Sequence, residues 1–154
     1  MEKFLENLQE AEKTLKKASH LLYMTYPLVK DKKLLLRIIT ELKEAVVKCI
    51  NAILQYEYFL KRIALFKDQR SNFHTFEKKC AKWYNINSTE IKQIIELFYI
   101  AKQHEKSPME FMKDEKLVIL TEDSTPITIT LEKTKEFLET ATNVINKTKE
   151  KFYK

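Results

Sequence analysis

Apolar residues near the start of the chain recur at steps of three and four residues. The recurring positions are Phe4, Leu8, Ala11, Leu15, Ala18 and Leu22. This spacing places them on one side of a helix, so the pattern predicts an amphipathic helix from Phe4 to about Met24. Pro27 disfavours helical geometry at the residue before it, and the helix is therefore expected to end at Tyr26.

A second apolar pattern begins after Asp31, which is placed to cap a helix that continues to about Phe66. At 1.5 Å per residue, such a helix would be on the order of 50 Å long. Only the PLVK link, residues 27–30, separates it from the first helix. The two segments therefore predict a long antiparallel helix pair.

The second helix has one acid on its apolar side and a polar stripe on the opposite side. At 100° per residue, Glu57 falls near Val46 and Ile50. A carboxylate there needs a partner or a shifted pKa, so Glu57 is a possible buried acid, either hydrogen-bonded to a tyrosine or functional. The polar stripe is either a solvated face or a binding groove. Its members are Glu41, Glu44, Lys48, Asn51, Gln55, Tyr58 and Arg62.

Two shorter helices are predicted next, over about residues 72–82 and about residues 89–103. Asn87 or Ser88 is placed to cap the second of them, and Glu90 lies in its first turn. These helices would cover the long pair and complete a helical bundle over residues 1–106.

The last third of the chain changes character. Ser107, Pro108 and Glu110 form the capping-box pattern that opens a short helix. The β-branched runs KLVIL and TPITITL then predict a small β-hairpin, and Thr130 or a neighbour begins a last helix. The fold class is therefore mainly α, a helical bundle with a β-hairpin before the C-terminal helix. We expect one domain over 1–154, with residues 107–154 packed on the bundle.

The chain contains no glycine. Phosphate-cradling loops, dinucleotide-binding turns, nucleophile elbows and calcium loops all need positions without a Cβ, so those enzyme classes are disfavoured. Cys49, Cys80 and the three histidines show no metal-ligand spacing. We expect both cysteines to be reduced thiols packed in the core, and we expect the protein to bind no metal and no cofactor. The chain start lacks the apolar stretch of a signal peptide, and no apolar run reaches about 18 residues, which predicts a cytoplasmic protein without a membrane segment.

Positive charge is concentrated between residues 61 and 84, named here the basic segment. Of the net charge of +6, this segment carries +5, from seven cations and two acids. Its candidate nucleic-acid contacts are Lys67, Arg70, Lys78, Lys79 and Lys82. The rings of Phe66, Phe73 and Phe76 are expected to anchor the joint between helices in the core, which leaves an electrostatic patch for phosphates or a solvated lysine-rich face. RNA or an acidic protein is the expected partner.

Arg70 and His74 are the candidate catalytic residues. If a helix begins near Asn72, His74 lies in its first turn, where the helix dipole favours the neutral imidazole that a general base requires. Arg70 could hold a phosphate or stabilise negative charge.

A long α-hairpin, shorter helices and an Arg/His pair near a helix start resemble the HEPN superfamily, over residues 1–103. The resemblance implies an all-α domain, often dimeric, in a group that includes metal-independent ribonucleases and inactive binding versions. Arg70 and His74 are the only candidates for its nuclease motif, and their spacing departs from that motif, in which four to six residues separate the arginine and histidine instead of the three here. Two functions remain open: a non-enzymatic module that binds RNA or protein and self-associates, or a HEPN-type ribonuclease of a toxin–antitoxin or defence system.

Overall fold

The computed structural model describes residues 2–106 and 109–153. Its helices are α1 (Lys3–His20), a π-helical segment (Leu21–Thr25), α2 (Tyr26–Val29), α3 (Lys33–Phe59), α4 (Gln69–Thr75), a second π-helical segment (Phe76–Cys80), α5 (Ala81–Trp83), α6 (Ser88–Lys106) and α7 (Leu131–Phe152). The strands are β1 (Glu110–Lys113), β2 (Lys116–Leu120) and β3 (Pro126–Ile129). The mainly α class, the long helix pair and the sheet before the last helix are confirmed.

Helix α3 lies at the centre of the molecule and packs against α1, α6 and α7. Its inward side chains are fully buried, as at Leu42, Val46 and Ile53. Part of its polar stripe contacts α1: Lys17 Nζ lies 3.0 Å from Glu41 Oε1. The stripe is therefore bounded by α1 and is not wholly solvated.

The first helix does not end at Tyr26, and that prediction is wrong. The chain stays helical through Pro27 to Val29, with Tyr26 itself in the right-handed region. The Tyr26 N–H bonds the carbonyl of Leu21, five residues back, which makes the turn before Pro27 wide. A wide turn leaves more room for the proline ring, whose contact with the preceding carbonyl normally breaks a helix.

Helix α3 ends at Phe59, seven residues before the predicted end at Phe66. Lys61 takes the left-handed conformation with φ 61°, and the Arg62 N–H donates to the Glu57 carbonyl at 3.0 Å. This is the helix-ending geometry that glycine usually provides. The amphipathic pattern continues past the stop and does not reveal it.

Left-handed backbone occurs at six non-glycine positions in the described ranges. They are Lys30, Lys61, Asn85, Asp114, Glu115 and Ser124. Three follow a helix end and three lie in turns of the sheet. Because the chain has no glycine, residues with a Cβ adopt this disfavoured conformation instead.

The predicted short helix after residue 107 is wrong. Ser107 and Pro108 lie outside the described residues, and Glu110 begins strand β1. Strand β1 pairs antiparallel with β2 across a two-residue turn at Asp114 and Glu115. Pairing with β2 outweighs the local capping pattern. The β2–β3 hairpin would be only marginally stable alone, and β1 adds a third strand to it.

The predicted hairpin is present as β2 and β3, which pair antiparallel within the order β1-β2-β3. Its inward residues Leu117 and Ile119 are fully buried. Thr130 caps α7, since its Oγ1 accepts from the Lys133 N–H at 3.1 Å. Leu117, Ile119 and Ile129 of the sheet and the buried apolar residues of α7 belong to the same core cluster as the buried apolar residues of α3.

Two predicted caps can be compared with the observed contacts. Asn87 caps α6: its Oδ1 accepts from the Glu90 N–H at 2.8 Å, and Glu90 Oε1 accepts from the Asn87 N–H at 3.0 Å. Asp31 Oδ1 accepts from the Lys33 N–H at 3.0 Å at the start of α3. Both local signals therefore mark real helix starts.

Candidate functional site

The helix that carries Arg70 and His74 starts at Gln69, earlier than the predicted start near residue 72. Asp68 caps it: its Oδ2 accepts from the Ser71 N–H at 2.8 Å, and this hydrogen bond lowers the pKa of Asp68. Arg70 therefore lies in the first turn and His74 in the second. The expected placement of His74 in the first turn is wrong, so the helix dipole does not act on its imidazole as proposed.

Exposed basic side chains follow one another along this helix at four-residue steps. The basic stripe consists of Arg70, His74, Lys78 and Lys82. In a regular α-helix, the last member would be rotated ~120° from the first. The π-helical segment between Phe76 and Ala81, where the Ala81 N–H bonds the Phe76 carbonyl, turns less per residue and so reduces this drift. The wide turn keeps the stripe closer to one face.

Phe66 is not in the core, contrary to the prediction, and 51% of its surface is exposed. The side-chain amide of Asn72 holds its backbone at both polar atoms. The Phe66 N–H donates to Asn72 Oδ1 at 2.8 Å, and Asn72 Nδ2 donates to the Phe66 carbonyl at 2.9 Å. Phe76 is fully buried and Phe73 partly buried, as expected for packing rings. The loop therefore presents one aromatic residue outside the core, with its backbone held by two hydrogen bonds.

The exposed ring borders a groove of about 530 Å³, named here the Phe66 groove. Its lining residues are Ala64, Phe66, Arg70, Ser71, His74, Thr75 and Lys79. The fold thus brings together Arg70, His74 and Lys79 from the candidate residues. Lys78 and Lys82 lie outside this groove along the stripe, and Lys67 is exposed in the preceding loop.

Glu57 lies apart from this surface and is fully buried. The Tyr84 hydroxyl donates to Glu57 Oε2 at 3.1 Å, and Arg62 Nη2 forms an ion pair with Oε1 at 2.5 Å that is not aligned as a hydrogen bond. The Arg62 guanidinium also lies 4.5 Å from the Trp83 ring centroid. Burial, with the nearby carboxylate, raises the pKa of Tyr84 above its usual value and that of Cys80 to about 12. This network joins the end of α3 to α5.

A second groove, which sequence analysis did not predict, lies between α3, α4 and α6, and is named here the α3–α6 groove. Its volume is about 630 Å³. The apolar lining residues are Val47, Ile50, Leu54, Phe73 and Phe98; the polar and charged ones are Lys43, Asn51, Gln69, Arg70, Asn72, Lys102, Glu105 and Lys106. Of its lining residues, the sequence had already pointed to Asn51, in the polar stripe that was a possible binding groove, to Arg70 as a site candidate and to Phe73 as a packing ring. Arg70 lines both grooves.

Residues 2–106 and 109–153 contain neither a group of potential metal ligands nor a membrane-spanning helix. Within those ranges, no three or more His, Cys, Asp or Glu side chains are grouped so that they could hold a metal ion. No helix there is long and apolar enough to cross a membrane. Comparison of the chain with protein-family models, with curated proteins and with solved structures finds no match.

Proposed function

We propose that this protein is a non-enzymatic helical module that binds single-stranded RNA through the Phe66 groove and the basic stripe. One observation carries the proposal: the half-exposed Phe66, whose backbone is held by Asn72, lies beside Arg70, His74 and Lys79 in one groove. An exposed aromatic ring flanked by cations is the combination by which many proteins bind unpaired bases and their phosphates.

The two hydrogen bonds between Asn72 and the Phe66 backbone make the Phe66 ring better suited to base stacking. A ring on a free loop would lose conformational entropy when a base stacked on it, which weakens binding. The two hydrogen bonds to Asn72 fix the backbone before the ligand arrives. Stacking on such a ring contributes about 1–3 kcal/mol per base and tolerates any base.

The basic stripe supplies the second part of the interaction. Arg70, Lys78 and Lys82 are exposed and lie along one helix, so they can follow a phosphate backbone that leaves the groove. Phosphate contacts give affinity without reading sequence. Each phosphate neutralised on a single strand should contribute about −0.7 to the slope of log affinity against log salt.

A metal-independent ribonuclease of HEPN type is the second candidate, and one observation favours it. Arg70 and His74 line the same groove, one helical turn apart. In that geometry, the His74 imidazole could accept the proton of a ribose 2′-hydroxyl as the 2′-oxygen bonds to phosphorus and the bond to the 5′-oxygen breaks, while Arg70 stabilised the charge developing on the phosphate. The imidazolium would then return the proton to the 5′-oxygen.

The experiment measures binding of fluorescent single-stranded RNA at several salt concentrations. Affinity should fall steeply as salt rises. The double variant Lys78→Glu/Lys82→Glu should bind far more weakly than a control of equal charge change on α1, Lys13→Glu/Lys16→Glu. Phe66→Ala should lose about 5- to 150-fold, the equivalent of one stacked base. The control is Leu65→Ala, in the same loop and 39% exposed.

No binding to RNA at low salt would overturn the proposal and favour an acidic protein as the partner. Equal affinity of the Phe66 and Leu65 variants would show that the ring is not a platform. The same RNA, incubated with protein in EDTA, separates the two candidates. Cleavage that disappears in His74→Ala would replace the non-enzymatic function with the nuclease.

A further inference from the structure

We propose that the α3–α6 groove is a nucleotide site, with a base over its apolar floor and a phosphate between Arg70 and Lys102. As a site for one nucleotide of an RNA strand, it rests on the proposed function. The same chemistry would also accept a free nucleotide. The two sources are separated by the experiment below.

The floor of the groove suits a flat aromatic group. Ile50 and Leu54 are 5% exposed, and the partly buried rings of Phe73 and Phe98 lie 5.8 Å apart in an edge-on arrangement. The volume of about 630 Å³ falls within the range of roughly 300–1,000 Å³ typical of small-molecule sites. A nucleobase would cover this floor without opening the core.

The rim of the groove is positively charged. Its charged members are Lys43, Arg70, Lys102, Lys106 and Glu105. Two of the lysines already lie near carboxylates, Lys43 at 3.8 Å from Glu44 and Lys106 at 3.5 Å from Glu122. Within residues 2–106 and 109–153, neither Arg70 nor Lys102 forms an ion pair, although Asp68 is near enough to Arg70 to interact with it electrostatically. These two cations are therefore the ones to which we assign the phosphate. A guanidinium is well suited to phosphate because it can donate two parallel hydrogen bonds.

Two amide side chains at the rim provide polar contacts for a base edge. Asn51 and Gln69 line the groove and are exposed, and an amide both donates and accepts hydrogen bonds. Asn72 also lines the groove, but its oxygen and nitrogen are already bonded to Phe66. The groove thus combines an apolar floor, polar edges and a cationic end, as nucleotide sites do.

Arg70 connects the two grooves because it lines both. A phosphate held by Arg70 would have one neighbouring base on Phe66 and the other in the α3–α6 groove. Both bases would have to be unstacked from each other and unpaired. The arrangement therefore selects single-stranded over duplex RNA, in line with how proteins recognise unpaired bases.

The first test fills the groove and reverses its charge. Asn51→Trp at an exposed position should block the floor, and its control is Ile95→Trp, 45% exposed on α6 and outside both grooves. Lys102→Glu should repel phosphate, and its control is Lys92→Glu, also exposed on α6 and outside both grooves. We expect each groove variant to weaken RNA binding by about fivefold or more, with the controls near wild type.

The second test maps the contact. Ultraviolet crosslinking of a uridine-containing single strand, followed by mass spectrometry, should label residues 47–54 or 98–102 as well as residues 64–66 or 74–79. If RNA binds, but crosslinks are confined to 64–66 and 74–79 and Asn51→Trp and Lys102→Glu bind as their controls do, the nucleotide site is refuted. The proposed function would stand in that case.

If RNA does not bind at all, the proposed function fails. A third measurement then decides whether the α3–α6 groove binds a free nucleotide. Adenosine and uridine monophosphates are titrated into the whole protein, with inorganic phosphate alone as the reference. Nucleotide binding that exceeds phosphate binding and disappears in Asn51→Trp supports the groove as a free-nucleotide site. No nucleotide binding, or binding that Asn51→Trp leaves unchanged, overturns it.

Discussion

Replacing Arg62 with methionine should destabilise the protein by leaving a buried carboxylate with one partner. Glu57 is fully buried, so in Arg62→Met it would keep only the Tyr84 hydroxyl. Breaking a buried ion pair costs about 3–5 kcal/mol, and the 42% exposure of the Arg62 side chain favours the low end, ~3 kcal/mol. Tyr84→Phe removes a hydrogen bond to a charged group and should cost ~1.5–3 kcal/mol.

A triple variant tests the reasoning, because it removes every polar member of the network. Glu57→Leu with Arg62→Met and Tyr84→Phe leaves none of these three positions with a buried polar group that has lost its partner, and such replacements are often neutral. We expect the triple variant to lie within ~1 kcal/mol of wild type, although the two single variants above sum to ~5 kcal/mol.

The assay is urea unfolding, followed by fluorescence and by circular dichroism. Trp83 is the single tryptophan of the chain, and its ring lies beneath the Arg62 guanidinium, so its emission reports on this site. Arg37→Met, at an exposed position of α3, is the control and should stay within ~0.5 kcal/mol of wild type. A triple variant as unstable as the sum of the singles would refute the reasoning.

Two further predictions concern the backbone and the thiols. Glu115 has φ 64° in the two-residue turn between β1 and β2, so Glu115→Gly should stabilise the fold by ~1 kcal/mol and raise the melting temperature by ~2–4 °C. The control Glu122→Gly replaces a residue without a positive φ and should not stabilise the fold. An equal gain in stability in the two variants would contradict the strain argument. Burial raises the pKa of Cys49 and of Cys80 to about 12 from an ordinary 9.0. The unfolded thiols therefore ionise first, and stability that is complete below pH 9.0 should decrease as pH rises towards 12. The urea concentration at the unfolding midpoint should change less between about pH 8 and pH 10.5 in Cys49→Ala/Cys80→Ala than in wild type. An equal change in both proteins would exclude the thiols as the cause of the loss of stability.

Two helix starts that depend on a local side-chain cap were predicted correctly. The caps at Asn87 and Thr130 depend on a side chain and a backbone N–H three residues later, so both were found. Helix ends set by tertiary structure were missed. The end of α3 is made by left-handed Lys61, and nothing in the apolar pattern distinguishes that residue from its neighbours. Strand β1 was missed because its stability comes from pairing with β2.

The same distinction applies to the candidate site. Arg70 and His74 are one helical turn apart, so their meeting in one groove follows from spacing alone. The exposure of Phe66 depends on an amide six residues away, and the ring would otherwise be expected inside. The α3–α6 groove combines residues from three helices and has no continuous signature in the sequence.

The wide turn of the π-helical segment Phe76–Cys80 ties the outer surface of the protein to its interior. If these residues formed a regular α-helix at the same chain length, everything after them would rotate by roughly 100°, the rotation of one residue, because a π-helical turn holds one residue more. Lys82 would leave the line of the basic stripe, and Tyr84 would be withdrawn from Glu57 at the same time. Loss of the wide turn would thus disrupt a surface for partners and a buried polar contact together. A one-residue deletion that restored the α-helical turn would instead leave both nearly in place.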